Sequence, residues 1–335
     1  MKKMLLIIGL AGIISLTQAA SWLERPFLIG VGGITCCPTK KGEASSHTCC
    51  SFTAQRPIYQ FLKKEVPNAN AFSVWITRTW QPFWYPAKIV QKGIDRGYTP
   101  IFIFYWFADE ISETYVRKHR KAYFKTLKKF ADYLQTLKGE KIVILNPEYN
   151  ENGVERSRMF DFLQAESILY LKEHVKNVRV GVCPGDFGNY DKIWDEQNWE
   201  IFRPSLQESA KVADFIAFQE MRALTRNKPE QIRKTPYRAL AFATYLHQTY
   251  HKPTFLAYLA VSSHKNPRLQ QEVIARFVDL MPIFRHGARM LGFNLFHYID
   301  VPGHKGYFNE AESHFGIKKA DGSKKPSFKP FLKLK

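Results

Sequence analysis

The chain has 335 residues, 45% of them hydrophobic, and 49 Lys and Arg against 30 Asp and Glu give a formal net charge of +19. Apolar content at this level supports a sizeable core, in one large domain or two ordinary ones, and sets aside a low-complexity chain. The positive balance favours anionic partners, such as an acidic polysaccharide or a phospholipid surface, although basic residues spread as in Val116 to Lys129 read first as a solvated face.

Residues 1 to 20 read as a secretory signal peptide. Lys2 and Lys3 supply the positive end, Met4 to Leu16 an uncharged apolar run, and Ala19 and Ala20 the small residues for cleavage. The apolar part is short for a membrane span, and no later stretch is long and apolar enough for one. This layout suits export to a bacterial periplasm or the exterior, where nucleic acid is not an expected partner. The mature chain, residues 21 to 335, is expected to be one monomeric domain. Next come two vicinal cysteine pairs, Cys36-Cys37 and Cys49-Cys50, flanking a polar loop of 11 residues. In an oxidising compartment they suggest two disulfides stapling the loop, with the connectivity open. One bridged pair with the others free is the plainer alternative. A zinc site is disfavoured, because adjacent cysteines do not easily both reach one tetrahedral ion. Cys183, in an apolar run, reads as a buried thiol.

Strand-like runs then follow at Pro26 to Thr35, Ala71 to Thr77, Pro100 to Phe107, Ile142 to Leu145, Val178 to Cys183, Asp214 to Phe218, Thr254 to Val261 and Met290 to Tyr298. Helical patterns separate most of them, at Tyr59 to Glu65, Ala87 to Arg96, Ser112 to Leu137, Glu155 to Val175, Ser205 to Lys211, Pro236 to Tyr250 and Gln270 to His286. The strands are apolar on both faces, as parallel strands covered by helices must be. Strand and helix alternating over ~250 residues predict an α/β fold, a (β/α)8 TIM barrel, with an open doubly wound sheet as the alternative. Gly30, Gly32 and Gly33 lie inside the first strand and do not form a dinucleotide fingerprint, so no cofactor is expected.

In a barrel the C-terminal strand ends converge on one face. Here they carry Trp80 and Trp84 after the second strand, Trp106 and Asp109 after the third, and Asn146, Glu148 and Asn150 after the fourth. Asp186 follows the fifth strand, Gln219 and Glu220 the sixth; Tyr258 lies on the seventh, and Tyr298 and Asp300 close the eighth. Carboxylates among Trp, Tyr, Asn and Gln describe a carbohydrate site, because rings stack on sugar faces while amides and acids bond hydroxyls. Two carboxyls would then do the chemistry, one protonating the leaving oxygen and one attacking the sugar or activating water. No HExxH and no Gly-x-Ser-x-Gly occurs, so neither a metal nor a serine hydrolase is expected.

The run Pro147-Glu148-Tyr149-Asn150-Glu151-Asn152-Gly153 on strand four resembles the acid/base loop of TIM-barrel glycoside hydrolases of the cellulase and mannanase type. Beyond strand eight, Phe315-Gly316-Ile317 and Asp321-Gly322-Ser323-Lys324-Lys325-Pro326 match a turn those enzymes often carry before their last helix. The resemblance implies a barrel glycosidase with Glu148 as general acid/base. It also implies a nucleophilic Glu at the end of strand seven, which here reads TFLAYLAVSSH with no carboxylate. Glu220 is therefore the expected second carboxylate, with Asp186, Asp109 and Asp300 in reserve. Arg222 and Arg226 could instead hold Glu220 in an ion pair, and Asp300 could serve its own loop. Asn146, Asn150, Gln219, Tyr258 and Tyr298 would orient hydroxyls, and Trp80, Trp84 and Trp106 would stack. The expected function is an exported glycoside hydrolase acting on a polysaccharide or glycoconjugate. The alternative is a non-catalytic glycan-binding protein on the same barrel.

Overall fold

The computed structural model describes residues 26–32, 59–149, 153–185 and 199–335. Eight parallel strands close into a barrel in chain order: β1 Leu28–Val31, β2 Ala71–Thr77, β3 Thr99–Tyr105, β4 Lys141–Leu145, β5 Val178–Val182, β6 Phe215–Arg222, β7 Thr254–Val261 and β8 Met290–Leu295. β1 pairs with β8, Leu28 opposite Gly292 through Val31 opposite Leu295, and closes the ring. The fold is the TIM barrel expected from the sequence, and closure excludes the open sheet.

Side chains alternate across each strand, so each strand feeds two cores. On β2, Phe72, Val74 and Ile76 pack outward among helix residues such as Phe130 and Leu134. Ala71 and Trp75 point inward with Ile101, Ile103, Ile142 and Ile144. Both faces are buried, which is why the strands read as continuous apolar runs. The interior also holds two polar side chains, Asn294 donating to Ser73 Oγ at 3.0 Å. The β1 glycines make room for them: a Cβ on Gly32 would stand 1.8 Å from Ser73 Oγ, and one on Gly30 2.5 Å from Asn294 Oδ1.

The helices form by amphipathic pattern and capping. Glu113–Gln135 buries Val116, Tyr123, Leu127, Phe130 and Leu134 at helical spacing, each such side chain being worth about 1.5–3 kcal/mol when fully buried. The Ser112, Ser157 and Asn266 side chains cap the helices Glu113–Gln135, Arg158–His174 and Pro267–Gly287. Several boundaries differ from expectation, two of them by four residues or more at one end inside the β6 to β7 region. The helix before β7 begins at Pro229, not Pro236, and carries Pro236 in its interior, because packing outweighs the lost hydrogen bond. β6 runs on through Gln219, Glu220, Met221 and Arg222 instead of ending at Phe218, because those residues pair in register with Tyr258 to Val261 of β7. No helix among the described residues is long and apolar enough to cross a membrane.

Candidate active site

β4 ends at Leu145, and the chain turns sharply over the mouth of the barrel, with Asn146 and Glu148 both at positive φ (47° and 65°). A non-glycine residue in that region is strained, and two so close together fix the direction in which Glu148 leaves the backbone. Its carboxylate keeps a partial opening to solvent yet lies deep among protein atoms. The Tyr258 hydroxyl donates to Oε1, and the Tyr105 hydroxyl stands 3.1 Å from Oε2. Tyr105 is the last residue of β3, on the inward face set by Ile101 and Ile103. Tyr258 faces inward because of an irregularity in β7. Pairing with β6 shifts by one residue between Phe218 and Gln219, so Ala257 is extra and both Ala257 and Tyr258 turn into the barrel. A bulge beside a site commonly re-aims a side chain in this way.

Trp75 forms the wall behind these groups, with its ring 5.3 Å from Tyr105, 5.2 Å from Tyr258 and 5.3 Å from Phe296. Cys183 Sγ donates to Gln219 Oε1 at 3.3 Å within the same interior, and burial raises the thiol well above its ordinary range. The segment beyond β8 returns across the mouth: Phe308, Ala311 and Phe315 join the interior cluster. That segment carries Glu312, which accepts from Phe308 N–H at 2.9 Å and lies 3.0 Å from His304 Nε2. Burial pushes the Glu148 carboxyl up to about 7; the phenols of Tyr258 and Tyr105 pull it down, and the charges of Asp109 and Glu312 push it up. The result is a carboxyl that holds its proton near neutral pH against an aromatic wall, as a general acid requires. Among the described residues, no group of three or more His, Cys, Asp or Glu is arranged to hold a metal ion.

Of the residues singled out from sequence, Glu148, Tyr258, Gln219 and Asp109 meet at this mouth. Asp109 is exposed on the turn Ala108–Glu110, its Oδ1 accepting from the Tyr105 hydroxyl at 2.6 Å. Glu220 does not join them. Ile216 and Phe218 pack with the outer core and Phe215, Ala217 and Met221 with the inner one, so alternation sends Glu220 to the helix side. There it is fully buried and pairs with Arg222 at 2.7 Å. The expectation that it supplies the second carboxylate is corrected: one strand parity separates it from the mouth.

The tryptophans are corrected likewise. Trp80 is buried edge-on against Phe130 and Tyr133, and Trp106 is buried with Nε1 donating to Thr126 at 2.9 Å. Trp84 is half-buried against the outer core. Trp80 and Trp106 therefore offer no face to a sugar. Asn146 is buried toward the helices, donating to Tyr123 at 3.4 Å. Tyr298 donates to Glu65 and stacks on Phe61 at 6.2 Å. Asp300 holds Lys325 at 2.5 Å and accepts from Gly316 N–H at 3.0 Å, which ties the tail to the barrel. Asn150, Asp186, Cys36, Cys37, Cys49 and Cys50 lie outside the described residues. Trp75, Tyr105 and Glu312 were missed. The first two had a signal, since each is the last large inward-parity residue of its strand; Glu312 had none.

No family model and no curated protein matches the chain. Solved structures do match by fold. An endo-β-1,4-mannanase from Thermotoga petrophila aligns with TM-score 0.59 at 12% identity, over 93% of this chain and 77% of that one. A β-mannanase from Bacteroides ovatus aligns with TM-score 0.59 at 11% identity, over 95% and 91%. A thermostable xylanase mutant from Cellvibrio japonicus aligns with TM-score 0.55 at 12% identity, over 94% and 99%. The chain resembles TIM-barrel glycoside hydrolases across nearly its whole described length, in fold.

Proposed function

We propose that this protein is an exported glycoside hydrolase acting on a polysaccharide or glycoconjugate, with Glu148 as proton donor to the departing glycosidic oxygen. One observation carries the reading. Glu148 stands where β4 opens into the mouth, its carboxyl held up to about 7 by burial, between two phenols and beside Trp75. The fold likeness to mannanases and a xylanase supports a carbohydrate substrate. The net charge of +19 supports an anionic one. The leader-like residues 1 to 20 support export, and in that setting the two cysteine pairs would form disulfides, which intact mass before and after reduction would count.

The test is a screen of neutral and acidic polysaccharides for released reducing ends, repeated with Glu148→Gln. Release by the wild type and near-loss in the variant is the expected result. Release that survives the substitution would overturn the assignment. A second reading, glycan binding without cleavage, is favoured by one observation: among the described residues the Glu148 carboxyl is bonded by two phenols and by no second carboxylate. Saturable binding with no release from any glycan would select it.

A further inference from the structure

Among the described residues, groups that can carry a charge or a proton act on Glu148 from several elements. They are Tyr105 at the end of β3, Asp109 on the turn after it, Tyr258 on β7, Cys183 just past β5, and Glu312 on the segment beyond β8. The Tyr105 hydroxyl lies 2.6 Å from Asp109 Oδ1 and 3.1 Å from Glu148 Oε2. A phenol has one hydrogen. Pointed along the shorter contact, it is donated to Asp109, and the phenol oxygen is left to accept from Glu148, which it can do only if Glu148 carries a proton. Turned the other way, it is donated to the Glu148 carboxylate, and Asp109 loses its donor. The three groups thus have two complementary arrangements, which differ by one proton and one hydroxyl rotation.

The nearest oxygens of the two carboxylates are separated by no more than these two contacts laid end to end, an upper bound just above the ~5–5.5 Å spacing of retaining glycosidases. The phenol oxygen, however, fills the space between them, where a sugar carbon would have to sit. That arrangement suits proton transfer and not attack from opposite sides. We propose that Tyr105 and Asp109 form a relay that reloads Glu148 with a proton from solvent while the barrel mouth is occupied. Exposed Asp109 takes a proton from water or buffer and passes it to the Tyr105 oxygen as that phenol gives its own hydrogen to Glu148. One O–H bond forms and one breaks at each oxygen in the middle, and no charge is left on the phenol. Both residues are positioning residues, acting through Glu148. Their role in turnover rests on the reading of Glu148 as the proton donor; the relay itself belongs to the free protein.

The test follows the Glu148 carboxyl carbon by NMR in protein labelled with 13C at the glutamate side-chain carboxyl, its signal assigned by its loss in Glu148→Gln. Asp109→Asn should lower the titration midpoint by roughly half a unit to one unit, because a like charge goes and the Tyr105 hydrogen is released to Glu148. In a Tyr105→Phe background the same change should move the midpoint less than half as far. An equal shift in both backgrounds means that Asp109 acts through space alone, and it overturns the relay, as does an unmoved midpoint in Asp109→Asn. On a glycan found by the reducing-end screen, Tyr105→Phe and Asp109→Asn should lower kcat with KM held, and added formate should restore it. Loss without rescue removes the relay from turnover. If no glycan is cleaved while the titrations behave as stated, the hydrolase reading falls and the relay stands.

Discussion

Glu148 keeps its proton near neutral pH because burial penalises its charge more than the two phenols relieve it. Glu148→Gln keeps the shape and removes the proton, so turnover on a natural glycan should fall about 100- to 10,000-fold with binding retained. The loss should be small on a substrate whose leaving group departs unprotonated. The same group sets a pH dependence of stability. Its ordinary value is 4.5 and its folded value about 7, so between those points the unfolded chain has released a proton that the folded chain still holds. Its contribution is therefore full below 4.5 and is lost as pH rises through 7. Melting temperatures of Glu148→Gln and wild type should diverge in favour of the variant as pH climbs through that window. A constant difference would mean that the carboxyl ionises normally. Tyr258→Phe removes a donor to the carboxylate, so the alkaline limb of the activity profile should move up in pH.

At the scale of the element, strand parity decides which carboxylate does what. β6 points Gln219 into the barrel and Glu220 out of it, and the buried Glu220–Arg222 pair is a packing device of the helix side. Removing one partner of such a pair leaves the other charge buried without its counter-ion. Glu220→Ala should cost about 3–5 kcal/mol in denaturant unfolding, and replacing both residues with apolar ones of similar volume should recover much of it. Activity per folded molecule should stay within a few-fold of wild type. A variant that unfolds normally but has lost turnover would return Glu220 to the catalytic apparatus. The bulge in β7 is the complementary case: one extra residue, Ala257, turns Tyr258 inward onto Glu148 without any change of residue type.

Part of the protein's excess positive charge is gathered on the helix layer. The outer face of the helix Glu113–Gln135 presents Arg120, Lys121, Lys125 and Lys128 beside Phe124, Tyr170 and Glu166, the last paired with Arg120. If the substrate is an acidic polysaccharide, its binding should weaken steeply with salt, since the Debye length falls from about 10 Å at 0.1 M to about 3 Å at 1 M. Charge reversal of Arg120, Lys121 and Lys125 should flatten that salt dependence and leave cleavage of a short neutral oligosaccharide unchanged. Salt-independent binding in the wild type would count against an anionic partner.

The barrel was legible from the chain's apolar runs alone. β2 and β7 span Ala71–Thr77 and Thr254–Val261, the same residues their apolar runs mark out, because strands buried on both faces leave a signature that needs no partner to be read. The sequence also put Glu148 just past the C-terminal end of β4, on the end of the barrel where the strands open. Which other side chains meet Glu148 depends on packing between distant parts of the chain. Glu220 looked equivalent but lies on the opposite face, because β6 continues past the polar residues that seemed to end it. Trp80 and Trp106 follow strands as loop aromatics should, yet pack beneath the helix Glu113–Gln135. Tyr105, Trp75 and Glu312 reach the site from three separate stretches of chain. Their meeting depends on closure of the ring, on one bulge and on the return of the tail across the mouth. Those are relations between residues far apart in the chain, and local periodicity carries no trace of them.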